Sequence, residues 1–471
     1  MKSYKTTIGI EIHAELKTKS KMFCGCKNDP HASDPNTNIC PVCMAHPGTL
    51  PIVNKEAVKK LLVVGHAVDG EIATYTEFDR KNYFYPDIPK AYQISQYEFP
   101  FVKAGELAGV QLTRIHLEED TARSLHDQGE GSLVDFNRAG VPLMELVTEP
   151  VIHDPKTAGK FARELQLLLR TLDVSDANME RGEMRVEANI SVSDTDELGT
   201  KTEVKNLNSF KVMEAAIAHE VKRQIKLLES GEEVVQETRG WDENKGKTFS
   251  QRVKENADEY RYFPDPDIPK MDISKVTEFD NSRIREIVPI LPAKKRSLYK
   301  DLGISEDLIE LIVGDMQLEK FFYKVVTTDT FDKSLAKISA NYTASDVVSV
   351  LSGNLSKSIM DADPMHFVSL MQLLASNEIN SRIAKDLLPE ILFENVDPRK
   401  AAEERGLLQL NSADDLIPLV DEILKEHTAV VDEFKAGKES ALKFIIGQAM
   451  KASKGSANPE ILAQVIKERL S

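Results

Sequence analysis

The sequence predicts an α+β protein, a largely antiparallel sheet domain followed by two small all-α domains. Three observations carry that reading. In the first 290 or so residues, segments alternate apolar and polar side chains with the period of two that a half-buried strand requires. Only two or three helices interrupt them, too few for a repeating βαβ pattern. After Leu291-Pro292 the prolines thin out, the single tryptophan, Trp241, is already past, and helix-period segments dominate.

The first strand runs through Ile8, Ile10, Ile12, Ala14 and Leu16, which face a core, while Glu11, His13 and Glu15 share the other face. The segment Met184 to Val192 is as regular: its even positions are apolar, and Arg185, Glu187, Asn189 and Ser191 point away. One helix opens at Asp154-Pro155, an N-cap followed by proline at the first helical position, and buries Phe161, Leu165, Leu168, Leu169 and Leu172. Another follows Ser209, carries Met213, Ile217, Val221, Ile225 and Leu228 at helical spacing, and stops near Gly231. Beyond residue 292, helices are expected at Leu308 to Val313, Met371 to Leu374, Ile383 to Leu388 and Ile417 to Leu424. The expected domains are 1–292, 293–405 and 406–471, with Gly406 between a charged helix end and a new apolar run.

Length agrees with that division, since 471 residues at roughly 150 per domain make about three. The 60 basic residues face 76 acidic ones, a net charge of -16, which excludes a protein that coats nucleic acid by bulk charge and leaves room for a local basic patch. No apolar run approaches the roughly 20 residues of a membrane span. Glu11, His13 and Glu15 arrive before any apolar stretch, so no secretory leader is expected and the chain reads as cytoplasmic.

All four cysteines fall in one motif, Cys24-Gly25-Cys26 and Cys40-Pro41-Val42-Cys43, a CxC and a CxxC with 13 residues between them. Two tight pairs on a short loop supply the four soft ligands of a tetrahedral zinc, a closed structural site without catalytic capacity. Four reduced thiols in a loop are the plainer alternative. Three acidic clusters also stand on strands of the first domain: Glu11 with His13, His116-Leu117-Glu118-Glu119-Asp120, and Glu145 through Glu149. Alternation puts Glu119 on the face of Ile115 and Leu117, and Glu145 with Leu143 and Val147. Each cluster alone fits a solvated strand face. Together they also suit a hard cation such as Mg²⁺ or Mn²⁺.

Gly240 to Thr248 looks like a phosphate-binding P-loop and is rejected. Five residues separate its glycines where the motif has four, and polar Gln236 to Arg239 precede it, so Asn244-Lys245-Gly246 reads as a hairpin turn. An echo links Phe84-Tyr85-Pro86-Asp87-Ile88-Pro89-Lys90 with Tyr262 to Lys270: two rigid non-helical loops, either a chance turn motif or paired walls of one cleft. Near the C-terminus, Lys435, Lys438, Lys443, Lys451 and Lys454 face a lone Glu439, which fits phosphate contacts or a solvated helix face.

Several blocks resemble one family. Thr7 to Leu16, Phe78 to Asp87, Lys90 to Ser95, His116 to Asp120, Lys205 to Phe210, Asp258 to Pro264 and Gly447 to Gly455 are similar, in order and over essentially the whole chain, to the GatB component of the tRNA-dependent amidotransferase GatCAB. The resemblance implies a cradle-shaped catalytic domain, a helical domain and a tail that touches tRNA, here through Lys443, Lys451 and Lys454. It implies a ligase that forms carbon–nitrogen bonds. The GatB component would activate the side-chain carboxylate of Glu-tRNA(Gln) or Asp-tRNA(Asn) with ATP. A glutaminase component, GatA, would free ammonia from glutamine, and a small component, GatC, would clamp the two together. By the same resemblance His13, Glu119 and Glu145 bind Mg²⁺ with Glu11 close by, Glu118 and Asp120 being the lesser candidates, and Lys81 and Lys90 meet phosphate or line the ammonia path. A non-catalytic tRNA-binding scaffold, and an unrelated metal-dependent hydrolase, are the competing readings.

Overall fold

The computed structural model describes residues 3–125, 131–253, 260–409, 413–435, 438–453, 457 and 459–470. The chain divides into two compact units, Met1–Leu291 and Pro292–Ser471.

The first unit is built on a ten-stranded sheet. Its centre is β1 (Lys5–Glu15), and the helix α1 (Lys55–Ala67) follows the cysteine loop. The strands β2 (Asp79–Asn82) and β3 (Tyr92–Ser95) belong to a small separate sheet, after which β4 (Val110–Glu119) and β5 (Pro142–Thr148) return to the large one. Then come α2 (Pro155–Thr171), β6 (Met184–Ser193), β7 (Thr202–Leu207), α3 (Phe210–Ser230), the hairpin β8 (Glu237–Asp242) and β9 (Lys247–Val253), and β10 (Phe263–Pro264). In space the order is β9-β8-β7-β6-β1-β5-β4, continued by two-residue strands, and the small sheet runs β10-β2-β3. Neighbours are antiparallel except β7 with β8. The sheet domain is therefore the largely antiparallel one that the sequence predicts.

Alternation sorts the faces as expected. Ile8, Ile10, Ile12 and Ala14 of β1 are buried in one apolar cluster with Val186, Ala188 and Ile190 of β6 and Leu146 of β5. The helices close over that face. Asp154 caps α2, accepting from the backbone N–H groups of Lys156 and Thr157, and Phe161, Leu165, Leu168 and Leu169 are buried beneath it. Ser209 caps α3, and Gly231 ends it in the left-handed conformation (φ 78°) that glycine adopts without strain. The inner stripe of α3 is partly polar: fully buried Glu220 accepts from Arg223 (2.7 Å) and from the Thr248 hydroxyl of β9 (2.9 Å). This pairing lets a charged group lie against the sheet at modest cost.

Gly240 to Thr248 spans the β8–β9 hairpin, with residues 243–246 as its turn, so no strand-to-helix phosphate loop exists there. The second unit is helical, with helices at Glu306–Gly314, Pro364–Ala375, Ser381–Glu394 and Ala413–Glu426 over the segments expected from helical spacing. It contains two separate apolar clusters. One is centred on Phe321, Phe367, Met371 and Leu388, the other on Leu416, Val420, Ile445, Leu462 and Ile466. Among the described residues no helix is long and apolar enough to cross a membrane.

Leu165 is fully buried beneath the sheet. Leu165→Ala is expected to lower unfolding stability by about 2–5 kcal/mol through lost burial and a residual cavity. Denaturant unfolding followed by circular dichroism checks this, and a loss well under that range would mean the site collapses freely.

Candidate functional site

The face of the large sheet opposite the helices carries a run of ionisable groups, and strand register assembles them. In an antiparallel pair, residues directly opposite share a face. His13 of β1 lies opposite Glu145 of β5, and Glu145 lies opposite His116 of β4. On the other side of β1, Glu11 is opposite Glu187 and His13 opposite Arg185. Each of these strands thus projects side chains into a common floor.

Distances confirm the convergence. The Nε2 atom of His13 is 3.4 Å from Glu145, 3.6 Å from Glu118 and 3.9 Å from Glu11, and that of His116 is 3.3 Å from Glu145. Ligand atoms of Glu11, His13 and Glu145 lie within 4.8 Å of one another, as do those of His116, Glu118 and Glu145, and those of Glu11, Glu187 and Glu203. Packing so many carboxylates together strains their ionisation. Burial, then the charges of Glu145 and Glu187, push Glu11 up to about 7. Burial opposes the charge on His13, but its hydrogen bond and charge contact with Glu145, then Glu118 and Glu11, lift it to about 9. Glu145 is likewise opposed by burial and still held well below the carboxylate range by His116 and His13. The Nδ1 atoms of both imidazoles are buried with no hydrogen-bond partner. Raised together, Glu11 and His13 mark a floor short of positive charge, which a divalent cation would supply. The donor set, hard oxygens with imidazole nitrogen, fits Mg²⁺ or Mn²⁺.

Beside the floor, Asp120 accepts two hydrogen bonds from Arg185 (2.9 and 3.1 Å), with Arg138 at 3.7 Å. Burial raises Asp120, but Arg185 and Arg138 outweigh it and bring it to about 2. Burial and the neighbouring Asp120 charge push Glu15 up to about 8.

The two candidate lysines stand in different states. Lys90 donates to Glu119 (2.8 Å), which also accepts the Ile94 backbone N–H (3.0 Å). Lys81 has no carboxylate in ion-pair contact among the described residues. Its ammonium stands 5.1 Å over the Tyr260 ring. Burial opposes its charge, yet Tyr262, Glu118 and Glu145 keep it well above the ordinary lysine range.

The sulfur atoms of Cys24, Cys26, Cys40 and Cys43 also lie within 4.8 Å of one another. The Cys40 backbone N–H donates to the Cys43 sulfur (3.1 Å), and the fully buried Lys21 ammonium sits 3.9 Å from it and 3.1 Å from the Phe136 carbonyl. A hydrogen bond from Cys24, against the effect of burial, pulls the Cys43 thiol down to about 5. The hydrogen bond to Cys43 and burial push Cys24 up, and burial pushes Cys26 up to about 11, while the clustering of the four sulfurs fits a tetrahedral soft-ligand ion. A cavity of about 190 Å³ separates this loop from the Lys90–Glu119 pair, lined by Phe23, Cys24, Cys43, His46, Lys90 and Glu119.

Comparison with known proteins gives the family. The family description "GatB/GatE catalytic domain" matches residues 6–278, and "GatB domain" matches 320–470. The chain is 42% identical to the B component of the aspartyl/glutamyl-tRNA(Asn/Gln) amidotransferase of Caldanaerobacter subterraneus subsp. tengcongensis, over 99% of both chains. It is 40% identical to that of Brevibacillus brevis over the full length of both, and 39% identical to that of Synechocystis over 99% of this chain and 98% of the relative. The chain belongs to the GatB family. Its chemistry is that of an amidotransferase, a ligase.

Within this GatB fold, the structure brings Glu11, His13 and Glu145 together and places Glu119 apart from them. On β4, Glu119 is opposite Pro142 and projects with Leu117 and Ile115, away from the floor, into its contact with Lys90. Glu118, opposite Leu143, takes the position near His13, and Ser95 donates to it (3.1 Å). His116 and Arg185 are the members that sequence reasoning missed. Strand parity was the signal available for both, since His116 alternates with Glu118, and Arg185 with Glu187. In the tail, Lys443 and Lys451 are exposed on the helix Glu439–Ala452, and Lys454 lies outside the described residues.

Asp120→Asn removes the charge that compensates Arg185. Because Arg185 is about a third exposed, water recovers part of the loss. A destabilisation of about 1–3 kcal/mol is expected in denaturant unfolding. An unchanged midpoint would show that solvent fully replaces the pair.

Proposed function

We propose that the polar floor of the large sheet is the carboxylate-activating centre of a tRNA-dependent amidotransferase. It would phosphorylate, with ATP, the side-chain carboxylate of Glu-tRNA(Gln), Asp-tRNA(Asn) or both, and then admit ammonia to form the amide. The observation that carries this is the convergence of Glu11, His13, Glu118 and Glu145 on one face, with two buried imidazole nitrogens left without partners.

The chemistry explains the composition of the floor. A carboxylate at neutral pH offers ammonia no leaving group, so one of its oxygens must first be phosphorylated. Phosphoryl transfer depends on positioning and charge neutralisation far more than on covalent help from the protein. Mg²⁺, held by His13 and Glu145 with Glu11 and Glu118 at hand, would neutralise phosphate charge and fix the reacting oxygens. His116 and Arg114 hold Glu145 from the β4 side, at 3.3 and 3.8 Å, so that its carboxylate points into the floor. Lys81, with no carboxylate in ion-pair contact among the described residues, is the cation left for phosphate. Lys90 is engaged by Glu119 and borders the cavity beside the cysteine loop, a position suited to the ammonia path.

The remaining assignments follow from the same family. The relatives' names describe one component of a larger enzyme, so the partners of this chain are read as a glutaminase, GatA, and a small clamping chain, GatC. The helical segments 293–405 and 406–471 are read as a connecting domain and a tRNA-contacting tail, with Lys443 and Lys451 on the exposed helix face. The four cysteines are read as a structural zinc site.

Amide formation from Glu-tRNA(Gln) with ammonium, ATP and Mg²⁺, in the complex with a glutaminase-dead GatA, tests the central claim. Glu145→Gln should lower the rate by about a hundredfold or more while tRNA binding persists. Normal amidation by that variant would move the activation step elsewhere and leave this chain a scaffold. For the cysteines, elemental analysis should give a single zinc per chain that Cys43→Ser loses along with thermal stability. Equal metal content in the two would leave four unligated thiols.

A further inference from the structure

Five of the chain's 11 tyrosines form one continuous row beside the acidic floor. Ring centroids run Tyr85 to Tyr83 at 6.0 Å, Tyr83 to Tyr260 at 5.9 Å, Tyr260 to Tyr262 at 6.1 Å and Tyr262 to Tyr97 at 4.6 Å. The last pair is stacked, with ring planes 14° apart. The small sheet places them. Tyr83 and Tyr85 follow β2, Tyr97 follows β3, and Tyr260 and Tyr262 lead into β10, which pairs with β2. The Asn82 side chain fastens the third segment by donating to the carbonyls of Tyr260 (3.1 Å) and Arg261 (2.9 Å). The Tyr97 backbone N–H is held by Asp79 (2.9 Å).

The row is not spent on a core. Its two ends, Tyr85 and Tyr97, remain 49% and 50% exposed, and in its middle the Tyr260 ring lies 5.1 Å from the Lys81 ammonium, whose charge is favoured by Glu118 and Glu145. Aromatic faces, a cation outside ion-pair reach of any described carboxylate, and a carboxylate floor follow one another in that order. They match a nucleotide in its three parts: base, phosphate and phosphate-bound cation.

We propose that the tyrosine row is the seat of an adenine ring, with Lys81 at its inner edge directed to the attached phosphate or ester end. This deepens the function proposed above and rests on it. Two substrates of that reaction carry adenine, ATP and the 3′-terminal adenosine of the aminoacyl-tRNA, and the experiment separates them.

The test uses the whole complex and ammonium-driven amidation, measuring KM for ATP and for Glu-tRNA(Gln) separately with the other substrate saturating. Tyr97→Ala should raise one of the two KM values roughly tenfold with kcat kept within about twofold, because a stacking face contributes to binding more than to chemistry. Tyr97→Phe, which keeps the ring and removes only the hydroxyl, should restore the wild-type value. A rise confined to ATP assigns the row to the ATP base, and a rise confined to tRNA assigns it to the terminal adenosine. Tyr85→Ala at the other end is read in the same way should Tyr97→Ala fail to fold. Wild-type values of both KM in a folded variant at each end would overturn the adenine seat while leaving the amidation reading intact. Absence of ATP-dependent amide with the wild-type complex would instead refute that underlying reading.

Discussion

The position of β1 between β5 and β6 is the constraint on which the rest of the first unit depends. Its pairing sets His13 opposite Glu145 on one side and opposite Arg185 on the other. Side chains alternate with period two, so a slip of one residue would carry Ile10 and Ile12 onto the polar floor and bury Glu11 and His13 under the helices. The apolar cost of that exchange, several fully buried isoleucines and leucines at roughly 1.5–3 kcal/mol each, makes the register secure. The floor is therefore positioned by residues that take no part in it. Hydrophobic burial on one face fixes electrostatics on the other.

This also explains what was legible in the sequence. The faces of β1 and β6 could be read directly, because their alternation is uninterrupted and only one face is apolar. The boundaries of α2 and α3 were equally plain, since Asp154-Pro155, Ser209 and Gly231 are capping residues with a local mechanism. On β4 the signal weakens. His116 to Asp120 is polar or acidic at nearly every position and buried on both faces, so composition no longer tells which side is which. Parity relative to Ile115 and Leu117 still placed Glu119 on the apolar side. The structure follows that parity, giving Glu118 to the floor and Glu119 to Lys90, while the grouping of Glu119 with Mg²⁺ ligands comes from the family resemblance alone. Long-range pairs such as Asp120 with Arg185 and Arg80 with Asp265 join residues 65 and 185 positions apart, a relation that no local pattern encodes.

The charges of the floor are less completely matched than those of the ion pairs around it. Where a carboxylate serves the fold, it is matched: Asp120 by Arg185, Asp265 by Arg80, Glu220 by Arg223. Where it belongs to the floor, matching is incomplete. Glu11 is driven toward protonation, and the imidazoles of His13 and His116 each leave a ring nitrogen without a partner. Buried polar side-chain atoms without a partner also occur elsewhere, at Gln224 and Ser339 for example, so it is the company of two such imidazole nitrogens with several buried carboxylates that marks this floor as a candidate ligand site.

The cysteine loop is tied to that place through the backbone. Met22 donates to the Gly140 carbonyl (2.7 Å), and the Asn137 side chain accepts from the backbone N–H groups of Thr37 and Asn38 (2.8 Å each). Lys21 joins the Cys43 sulfur to the Phe136 carbonyl. Residues 136–141 lead straight into β5, which carries Glu145, and the Gly140 N–H donates to the Asp120 carbonyl (2.9 Å) at the end of β4. Through these hydrogen bonds the cysteine loop braces the point where β5 begins and β4 ends. A buried lysine needs a counter-charge, and here a cysteine thiolate stands in position to supply it. Loss of that thiolate charge would leave the Lys21 ammonium uncompensated at the junction with the polar floor. The cysteine cluster and the acidic floor are thus joined by one short run of backbone, residues 136–145.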